Sequence, residues 1–396
     1  MTENVTKDDG YKHFNASRDG VLDLWNSEYY KEMRKSMLAG ERLDRCHKCW
    51  FAEDNNLQSL RRPEKFEYYK NATTEDGEVD ILPKEMELHF GNVCNLSCKM
   101  CSTQFSHLIG KELLKIGDKD PDFLTWVRKE SGLVNNWTSE LDVVYDWYKN
   151  KKIKNEIFEL VSTRVQAITV IGGEPTVIPE FWELLQHCHD KGTLKEKNIV
   201  ITTNLTNTNT KLIDWLPQLK GFMIHASVDG IDERNHYIRY PANWQSIKRS
   251  LDFYASIIRK GAKGVISFNP AIQTLNIDHL IDMVEFFETY DDVATYSWLS
   301  HVKGPVICDY DHAPQNYKNR TAEHLINNLH RIKNWKNKEE IKGHATRLQQ
   351  DFTDANTPNI HKAFIRYNDT QDKFRNTKTW RKILPDLEKA LTEVQL

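Results

Sequence analysis

The segment CNLSCKMC, residues 94–101, places three of the chain's seven cysteines within eight positions. It follows a run of strand-forming residues, MELHFGN, so the thiols of Cys94, Cys98 and Cys101 are expected on a tight loop after a strand. Three thiolates can hold three irons of a four-iron cubane and leave the fourth iron open, whereas a structural zinc site would need a fourth protein ligand. We therefore predict that this trio binds a 4Fe-4S cluster, with three buried cysteines that bind no metal as the alternative.

Strand-like runs alternate with helix-like segments through the middle of the chain. The helix-like segments include PEFWELLQHCHDKG and NIDHLIDMVEFFETY, and a glycine follows the end of three of them, as is common at helix C-termini. This alternation predicts an α/β protein with a parallel sheet and right-handed crossovers, either open or barrel-like. The six runs are 86–92, 165–173, 198–204, 222–230, 263–273 and 294–302.

We predict three parts along the chain. Residues 1–84 combine a helix and a cysteine pair with a polar linker, 85–305 contain the strand-like runs, and 306–396 carry apolar residues at helical spacing. The mostly helical stretch 102–164 is too long for a simple crossover, so we interpret it as an insertion. The last part is expected to be a helical C-terminal extension.

Polar and glycine-rich motifs stand at the ends of the later strand-like runs. They are Gly172-Gly173-Glu174-Pro175, Thr202-Thr203-Asn204 and Ser227-Val228-Asp229-Gly230, and Arg239 follows the last of them in HYIRYP. Parallel barrels and open α/β sheets bind their ligands at the carboxyl ends of the strands. We therefore expect these motifs and the cysteine trio to form one site.

The spacing C-x3-C-x2-C after a first strand, with the large apolar Met100 before the last cysteine, resembles the radical S-adenosylmethionine (radical SAM) superfamily. The later GGE and SxDG motifs extend the resemblance over residues 86 to about 302. It implies a partial (β/α)6 TIM-like barrel. It also implies that the open iron of the cluster chelates SAM, and that one electron then splits SAM to a 5'-deoxyadenosyl radical, which abstracts a hydrogen atom from a substrate.

The resemblance implies a role in SAM binding for six residues, Gly172, Gly173, Glu174, Asn204, Ser227 and Arg239. Glu174 would accept a hydrogen bond from the SAM ammonium group, Ser227 would reach the ribose or the carboxylate side, and Arg239 would pair with the carboxylate. A plain turn, a strand-end cap and a solvated surface arginine are the alternatives for Glu174, Asn204 and Arg239. Leu205 departs from the pattern, because many relatives have glycine there.

The fifth run, GVISFNP, contains three residues that would face the adenine if the family geometry holds. They are Ile266, Phe268 and Asn269. Apolar residues in a strand more often pack the sheet against its helices, and we prefer that interpretation here.

Cys46 and Cys49, in CHKC, resemble the cysteine-bearing end of the SPASM/twitch module, here placed before the barrel as in twitch-containing radical SAM proteins of phages and bacteria. The module binds an auxiliary iron-sulfur cluster in enzymes that modify peptides and proteins. Either the cluster has been lost here, or another residue completes it. Cys308, Cys188 and His47 are the candidates, and a zinc site or free thiols are the remaining alternatives. We expect Cys188 to be a packed core residue.

The net charge of −3, from 54 basic and 57 acidic residues, gives no general attraction to nucleic acid or anionic membrane. The polar N-terminus and the lack of an 18-residue apolar run predict a cytoplasmic protein without a membrane span. The expected partners are SAM, a reductant such as flavodoxin or ferredoxin, and a peptide or protein substrate. A nucleotide or small-metabolite substrate, and a non-enzymatic metal-centre protein, are the alternatives.

Overall fold

The structure of the chain is a computed structural model, which describes residues 20–55, 59, 61, 63–134 and 141–394. These residues form two compact units. The first comprises the described residues up to Met86 together with Trp147–Gln166, and the second comprises Glu87–Asp146 and the described residues from Ala167 onward. The predicted insertion is therefore divided between the two units.

The described residues form α-helices and short parallel strands. The strands are β1 (Glu85–His89), β2 (Ala167–Ile171), β3 (Asn198–Thr203), β4 (Gly221–Ala226), β5 (Gly264–Phe268), β6 (Ala271–Ile272) and β7 (Ser300–His301). The helices are α1 (Val21–Trp25), α2 (Glu28–Leu38), α3 (His47–Asp54), α4 (Pro63–Lys70), α5 (His107–Gly117), α6 (Pro121–Lys129), α7 (Ser131–Val134), α8 (Lys151–Thr163), α9 (Pro179–Asp190), α10 (Leu212–Trp215), α11 (Asp232–Ile238), α12 (Trp244–Arg259), α13 (Leu280–Phe287), α14 (Gln315–Asn328), α15 (Trp335–Leu348), α16 (Thr357–Arg375), α17 (Trp380–Ile383) and α18 (Pro385–Glu393).

The central sheet has the strand order β1-β2-β3-β4-β5, and the pairs from β2 to β5 are parallel. Consecutive strands are neighbours and helices such as α9 and α12 connect them, as expected for βαβ units. The predicted α/β fold with a partial barrel is confirmed. Its C-terminal strand ends all lie at one edge, where the sequence motifs stand.

The two faces of the sheet differ in exposure. Along β4, Phe222, Ile224 and Ala226 are buried, whereas Met223 and His225 between them are half-buried. The same alternation occurs in β2 and β3. Successive side chains of a strand point to opposite faces, so one face packs against the helices and the other lines the concave side of the sheet. We call this second side the inner face.

The sixth strand-like run is less regular than expected, although it pairs alongside the fifth. The amide of Thr295 donates to the carbonyl of Ile266 at 2.9 Å, and that of Val302 to the carbonyl of Ile272 at 2.8 Å. Pro270 divides the fifth run, because proline cannot donate to the ladder. As a result β5 ends before it, and the short β6 pairs with β7 beyond it.

The predicted polar linker of the first unit is folded rather than extended. The side chain of Asn26 donates to the carbonyl of Val79 at 2.8 Å and accepts from the Val79 amide at 3.0 Å. Arg34 of α2 donates to the carbonyl of Gly77 at 2.9 Å. Gly77 has φ +78°, where glycine is strongly preferred. The segment therefore docks on α1 and α2.

The C-terminal extension is helical, as predicted, and forms part of the second unit. Helix α16 is its longest member, with 19 residues. Tyr367 of α16 stacks on Phe123 of α6 with ring centroids 6.2 Å apart. Among the described residues, no helix is long and apolar enough to cross a bilayer.

Candidate functional site

The loop after β1, residues 90–101, carries the cysteine trio and is called the cysteine loop here. Asn92 anchors its first part, because its fully buried side chain donates to the carbonyls of Thr103 and Val143, each at 2.7 Å, and accepts from the Tyr145 amide at 2.8 Å. Sequence reasoning missed Asn92. Its only signal was a polar residue two positions before the first cysteine.

Burial makes the three thiols poor acids without a bound cation. It raises the pKa of Cys94 to about 12 and also raises the pKa values of Cys98 and Cys101, and the proximity of the three sulfurs adds to the shifts of Cys94 and Cys101. A coordinated metal would deprotonate such thiols. The loop is therefore arranged as a set of thiol ligands and not as a reactive nucleophile.

A donor set of three thiols suits a cluster better than a single ion. In the described part of the chain, the one set of three candidate ligands with all ligand atoms within 4.8 Å of one another is His301, Asp309 and Asp311, so the cysteine trio is wider. A tetrahedral zinc ion, with Zn–S of about 2.3 Å, would bring its sulfurs closer than that. A cubane binds each thiolate at a different iron, and the donor set fits it.

The glycines of GGE hold the cysteine loop against the end of β2. The amide of Gly173 donates to the carbonyl of Gly91 at 2.8 Å, and the amide of Glu174 donates to that of Val93 at 2.8 Å. Gly172 has φ +100°, and a Cβ there would lie 2.7 Å from the Gly91 oxygen. A Cβ on Gly173 would overlap the Val93 carbonyl. Both positions therefore require glycine for close backbone approach.

The buried carboxylate of Glu174 links the ends of β2 and β3. It accepts hydrogen bonds from the Thr203 hydroxyl at 2.8 Å, the Asn204 amide at 2.6 Å and the Thr176 hydroxyl at 2.6 Å. Burial raises the pKa of Glu174 above its ordinary value, although these donors oppose the shift. The predicted contact with the SAM ammonium group stays a prediction.

Asn204 reaches from β3 to the first cysteine. Its side-chain amide donates to the Asn95 oxygen at 2.9 Å and lies 3.9 Å from the Cys94 sulfur. The next residue, Leu205, has φ +62°, the left-handed conformation in which glycine costs least. The glycine that many relatives have at this position therefore matches the backbone found here.

Arg239 lies beside the middle cysteine and is not a surface residue. Its Nε is 2.7 Å from the carboxylate of Asp229, and its Nη1 is 4.0 Å from the Cys98 sulfur. It is 9% exposed. Burial would lower the pKa of Arg239, but Asp229 and Cys98 raise it above the ordinary value. The guanidinium group is thus a fixed positive charge beside the cysteine loop.

The chain around Arg239 is also bonded to the cysteine loop through its backbone. The Lys99 amide donates to the Ile238 carbonyl at 2.8 Å, and the Ser97 amide donates to the Tyr240 carbonyl at 2.7 Å. These bonds lie on both sides of Cys98. The loop is therefore held by the end of β2 and by the segment after α11.

Ser227 is half-buried at the end of β4, and its amide donates to the Thr203 carbonyl at 3.0 Å. In the fifth run, Phe268 stacks on Phe287 of α13 with ring centroids 4.1 Å apart and an interplanar angle of 9°. Phe268 and Ile266 are fully buried on the helix side, which supports the sheet-packing interpretation. Asn269 instead accepts from the Ser267 hydroxyl at 3.0 Å.

A polar row crosses the inner face one step before the strand ends. Thr202, His225 and Ser267 are directly paired in the register of β3, β4 and β5. Nε2 of His225 lies 3.0 Å from the Met223 sulfur, and burial lowers the pKa of His225, so its ring is neutral at pH 7. Sequence reasoning missed this row because its members lie on three separate strands.

Cys46 and Cys49 belong to the first unit. Cys46 is the N-cap of α3, and Cys49 lies three residues later, on the same side of the helix. Both cysteines are half-buried. His47 is exposed, with Nδ1 3.1 Å from the Asp44 carbonyl. Among the described residues, no third ligand atom completes a set with the two cysteines within 4.8 Å. Their role as metal ligands stays a prediction.

The two remaining cysteines are buried in the second unit. Cys188 is fully buried on α9, as expected for a packed core residue, and burial raises its pKa to about 11. Cys308 is 3% exposed, its carbonyl accepts from the Thr274 amide at 2.8 Å, and burial raises its pKa to about 12. Its role as an additional cluster ligand stays a prediction.

The acidic set at the end of the sixth run is an ion-pair network. His301 Nε2 lies 2.7 Å from Asp309, and Arg347 binds Asp311 through two nitrogens at 2.6 and 2.8 Å. Burial opposes ionisation of Asp311, but hydrogen bonds from Arg347 and Lys303 outweigh it and lower the pKa. Arg347, Lys303 and His301 already pair with these two carboxylates, so we do not propose a metal site here.

The sequence profile described as the Radical SAM superfamily matches residues 88–287, which is just over half of the chain. The matched region begins in β1 and ends with α13, so it contains the carboxyl ends of β1 to β6 but not β7. No curated protein matches the chain.

The solved structures that match include SuiB from Streptococcus suis bound to precursor peptide SuiA, at 14% identity and a TM-score of 0.39. The alignment covers 69% of this chain and 53% of that one. SuiB bound to S-adenosylmethionine gives 14% identity, a TM-score of 0.38 and coverages of 76% and 58%. The methyltransferase TsrM from Kitasatospora setae, with cobalamin and a 4Fe-4S cluster bound, matches at 11% identity and a TM-score of 0.36. That alignment covers 60% of this chain and 38% of the TsrM chain. The chain thus spans little more than half the length of the SuiB chains.

Proposed function

Because this chain belongs to the radical SAM superfamily, with SAM and a 4Fe-4S cluster as its cofactors, we propose that it cleaves SAM reductively and uses the product to modify a substrate. The observation that carries the proposal is the docking of the cysteine loop on GGE. The cysteine loop thereby lies beside Glu174 and Asn204 at the ends of β2 and β3, and beside Arg239 after α11.

Cys94, Cys98 and Cys101 would hold the cluster. When bound, the reduced cluster supplies the electron that splits SAM into methionine and a 5'-deoxyadenosyl radical. The chain's own contribution is to limit the access of water to the ligands, because Cys98 is 9% exposed and Cys94 and Cys101 are half-buried. At Gly172 and Gly173, after β2, the backbone lies so close to the cysteine loop that a side chain would not fit between them.

The six residues implied for SAM binding keep that role in this proposal. Asn204 contributes an amide beside Cys94, and Arg239 contributes a positive charge beside Cys98, so both stand next to cluster ligands. A guanidinium group suits the SAM carboxylate, although Asp229 already occupies its Nε side. Glu174 supports Asn204 through the 2.6 Å bond to its amide.

For the substrate we propose the inner face of the sheet as the binding surface. Thr202 and His225, both half-buried, present neutral polar groups there, one step from the strand ends, and the buried Ser267 completes the row. Such a row can donate and accept hydrogen bonds without attracting a strongly charged group. It would place a substrate hydrogen atom within reach of the radical.

The finer assignment is a peptide or protein side chain. Its support is the resemblance of the Cys46 and Cys49 pair to the SPASM/twitch module, which would hold an auxiliary iron-sulfur cluster in this interpretation. A nucleotide or small metabolite is the second candidate, because a neutral polar row can also bind a base or a sugar. The electron donor would be a flavodoxin or a ferredoxin.

The test is anaerobic reconstitution with iron and sulfide, followed by reduction with dithionite in the presence of SAM. We expect 5'-deoxyadenosine from the wild-type protein and none from Cys98→Ala. Cys188→Ala removes a buried cysteine outside the loop and is the matched control, with product formation retained. A fully loaded wild-type protein that forms no 5'-deoxyadenosine would refute the proposal.

A further inference from the structure

The buried face of α16 changes character along its length. Its first half buries Ile360 and Phe364 together with the uncharged polar Thr357. Its last two turns carry Gln371, Asp372 and Arg375, all at most 7% exposed. Charged residues are rarely buried unless they are paired. This end of the helix therefore has a specific set of partners, and all of the partners described below belong to the second unit.

Asp372 binds the residue that follows the middle cysteine. Its Oδ1 is 3.0 Å from Nζ of Lys99, and the two side chains are 1% and 2% exposed. Its Oδ2 accepts from the Trp380 amide at 2.7 Å and lies 3.3 Å from the Tyr237 hydroxyl. Lys99 also lies over the Tyr237 ring, 4.6 Å from its centroid. The ammonium group of the cysteine loop is thus enclosed by α16 and α11.

Arg375 binds the residue that precedes the same cysteine. Its Nη2 donates to the Ser97 carbonyl at 2.7 Å, and the guanidinium group also forms two hydrogen bonds, at 2.9 and 3.0 Å, to Glu112 of α5. Gln371 donates to the same carboxylate at 3.0 Å. One guanidinium group therefore joins α5, α16 and the cysteine loop.

These contacts hold Cys98 from both sides. Ser97 and Lys99 are its direct neighbours in the chain, and each is bonded to α16, 278 and 273 residues away in sequence. Desolvating four charged groups is costly, and their mutual attraction recovers that cost only with well-formed pairs. A network of this kind fixes one geometry of the loop more strictly than an apolar contact would.

We propose that Asp372 and Arg375 are positioning residues of the cluster site, so that the C-terminal extension, through α16, keeps Cys98 in place for cluster binding. The inference rests on the proposed cluster at the cysteine trio. It adds a part of the chain outside residues 88–287, the region that matches the superfamily. Residues that orient metal ligands typically affect metal affinity by about 10- to 100-fold.

The test uses the full-length protein reconstituted with iron and sulfide. Arg375→Gln and Asp372→Asn are compared with the control variant Arg381→Gln. Arg381 of α17 also forms an ion pair with α16, through Asp369, but it is partly exposed and has no hydrogen bond to the cysteine loop. The readouts are iron and sulfide per chain, the EPR spectrum of the reduced cluster, and the rate of iron loss to a ferrous chelator.

We expect iron loss to be about tenfold faster or more in Arg375→Gln and Asp372→Asn, with an altered EPR spectrum, while Arg381→Gln matches wild type. Arg375→Lys, which keeps the charge without the forked donors, should recover part of the retention. Equal retention in wild type, Arg375→Gln and Asp372→Asn would overturn the inference.

A second variant covers the case in which a single substitution fails to fold. Glu112→Gln with Arg375→Gln removes both charges of one pair, so no unpaired buried charge remains, but the Ser97 carbonyl still loses its guanidinium donor. We expect this double variant to melt like wild type and still lose iron quickly, and wild-type retention in it would overturn the inference. Failure of the wild-type protein to bind any cluster would instead refute the proposed function.

Discussion

The Oε2 atom of Glu174 accepts a 2.6 Å hydrogen bond from the backbone amide of Asn204. This contact joins the ends of two neighbouring strands. One of its partners lies in the GGE motif, and the side chain of the other lies 3.9 Å from the Cys94 sulfur. The motif residue therefore acts on the cysteine loop through Asn204 as well as through its own backbone.

Glu174→Gln should weaken SAM binding by about tenfold and lower the free energy of unfolding by about 1–3 kcal/mol. The new amide nitrogen would face donors that now bond to a carboxylate, which leaves buried polar groups unpaired. Calorimetric titration with SAM and thermal unfolding measure the two effects. Glu196→Gln, at an exposed position, is the control, and unchanged SAM affinity in Glu174→Gln would contradict the prediction.

Gly173→Ala should reduce the iron content of the reconstituted protein, because a Cβ would overlap the Val93 carbonyl and push the cysteine loop away. Gly343→Ala is the matched control. It lies in α15 with no atom within 4 Å of the added Cβ, and it should stabilise the protein by about 0.4–1 kcal/mol. Iron analysis and thermal melts test both variants. Full iron loading of Gly173→Ala would contradict the prediction, because the cysteine loop could then move without losing iron.

Arg239→Gln should lower the reduction potential of the cluster by about 60 mV, which corresponds to a tenfold change in a one-electron equilibrium. Reduction adds negative charge to the cluster, so a nearby guanidinium group stabilises the reduced form, and its removal also leaves Asp229 unpaired. An EPR-monitored redox titration gives the potential. Arg259→Gln, at an exposed ion pair with Asp292, should leave it unchanged. An equal or higher potential in Arg239→Gln would contradict this account.

His225→Ala should retain cluster binding and basal SAM cleavage but lose hydrogen transfer from the substrate, because His225 lies on the inner face and is not in contact with the cysteine loop. Deuterium transfer from a labelled substrate to 5'-deoxyadenosine is the measurement. The exposed His330→Ala should behave as wild type. Normal deuterium transfer in His225→Ala would exclude the inner-face row from substrate binding.

The buried His344 should make the protein less stable as the pH falls from about 6.5 to about 4. Its Nε2 donates to the Leu299 carbonyl and its Nδ1 accepts from the Tyr310 hydroxyl, so the neutral ring is bonded on both sides. Burial, the main cause, lowers its pKa to about 4. The unfolded chain takes up a proton below its ordinary pKa of 6.5, whereas the folded chain does not until about 4.

A pKa of about 4 in the folded chain, against 6.5 in the unfolded chain, corresponds to about 3 kcal/mol of unfolding free energy lost across that pH range. Urea titrations at several pH values measure this loss. His344→Gln should flatten the dependence over this interval, and His330→Gln should not. A slope that is the same in wild type and His344→Gln would assign the pH dependence to other groups.

Sequence reasoning predicted the sheet, which the structure confirms, and it proposed site residues at the ends of the strands, because both leave local signals. The alternation of β4, with Phe222 and Ile224 on one face and His225 on the other, is visible in six residues, and the cysteine spacing is visible in eight. The parallel register then follows from the helices that connect the strands. The positions of the proposed cluster ligands could therefore be read from one short segment.

The partners of the cysteine loop were not predictable in the same way. In the sequence, Asp372 and Arg375 belong to a polar helix and look like residues of a solvent-exposed helix face. Their partners Lys99 and Glu112 are single charged residues more than 250 positions earlier in the chain. Their pairing depends on tertiary contacts between distant segments. No pattern of hydrophobic period or spacing carries that information.

The contact between α16 and the cysteine loop also has a consequence for biosynthesis. Lys99 is added to the growing chain 273 residues before Asp372, which at 5–20 residues per second is a delay of roughly 14 to 55 seconds. During that interval the three thiols are on a nascent chain whose Lys99 has no carboxylate partner from α16. Cluster insertion is therefore expected after the chain is released, and a truncated translation product would carry the ligands without the helix that retains the iron.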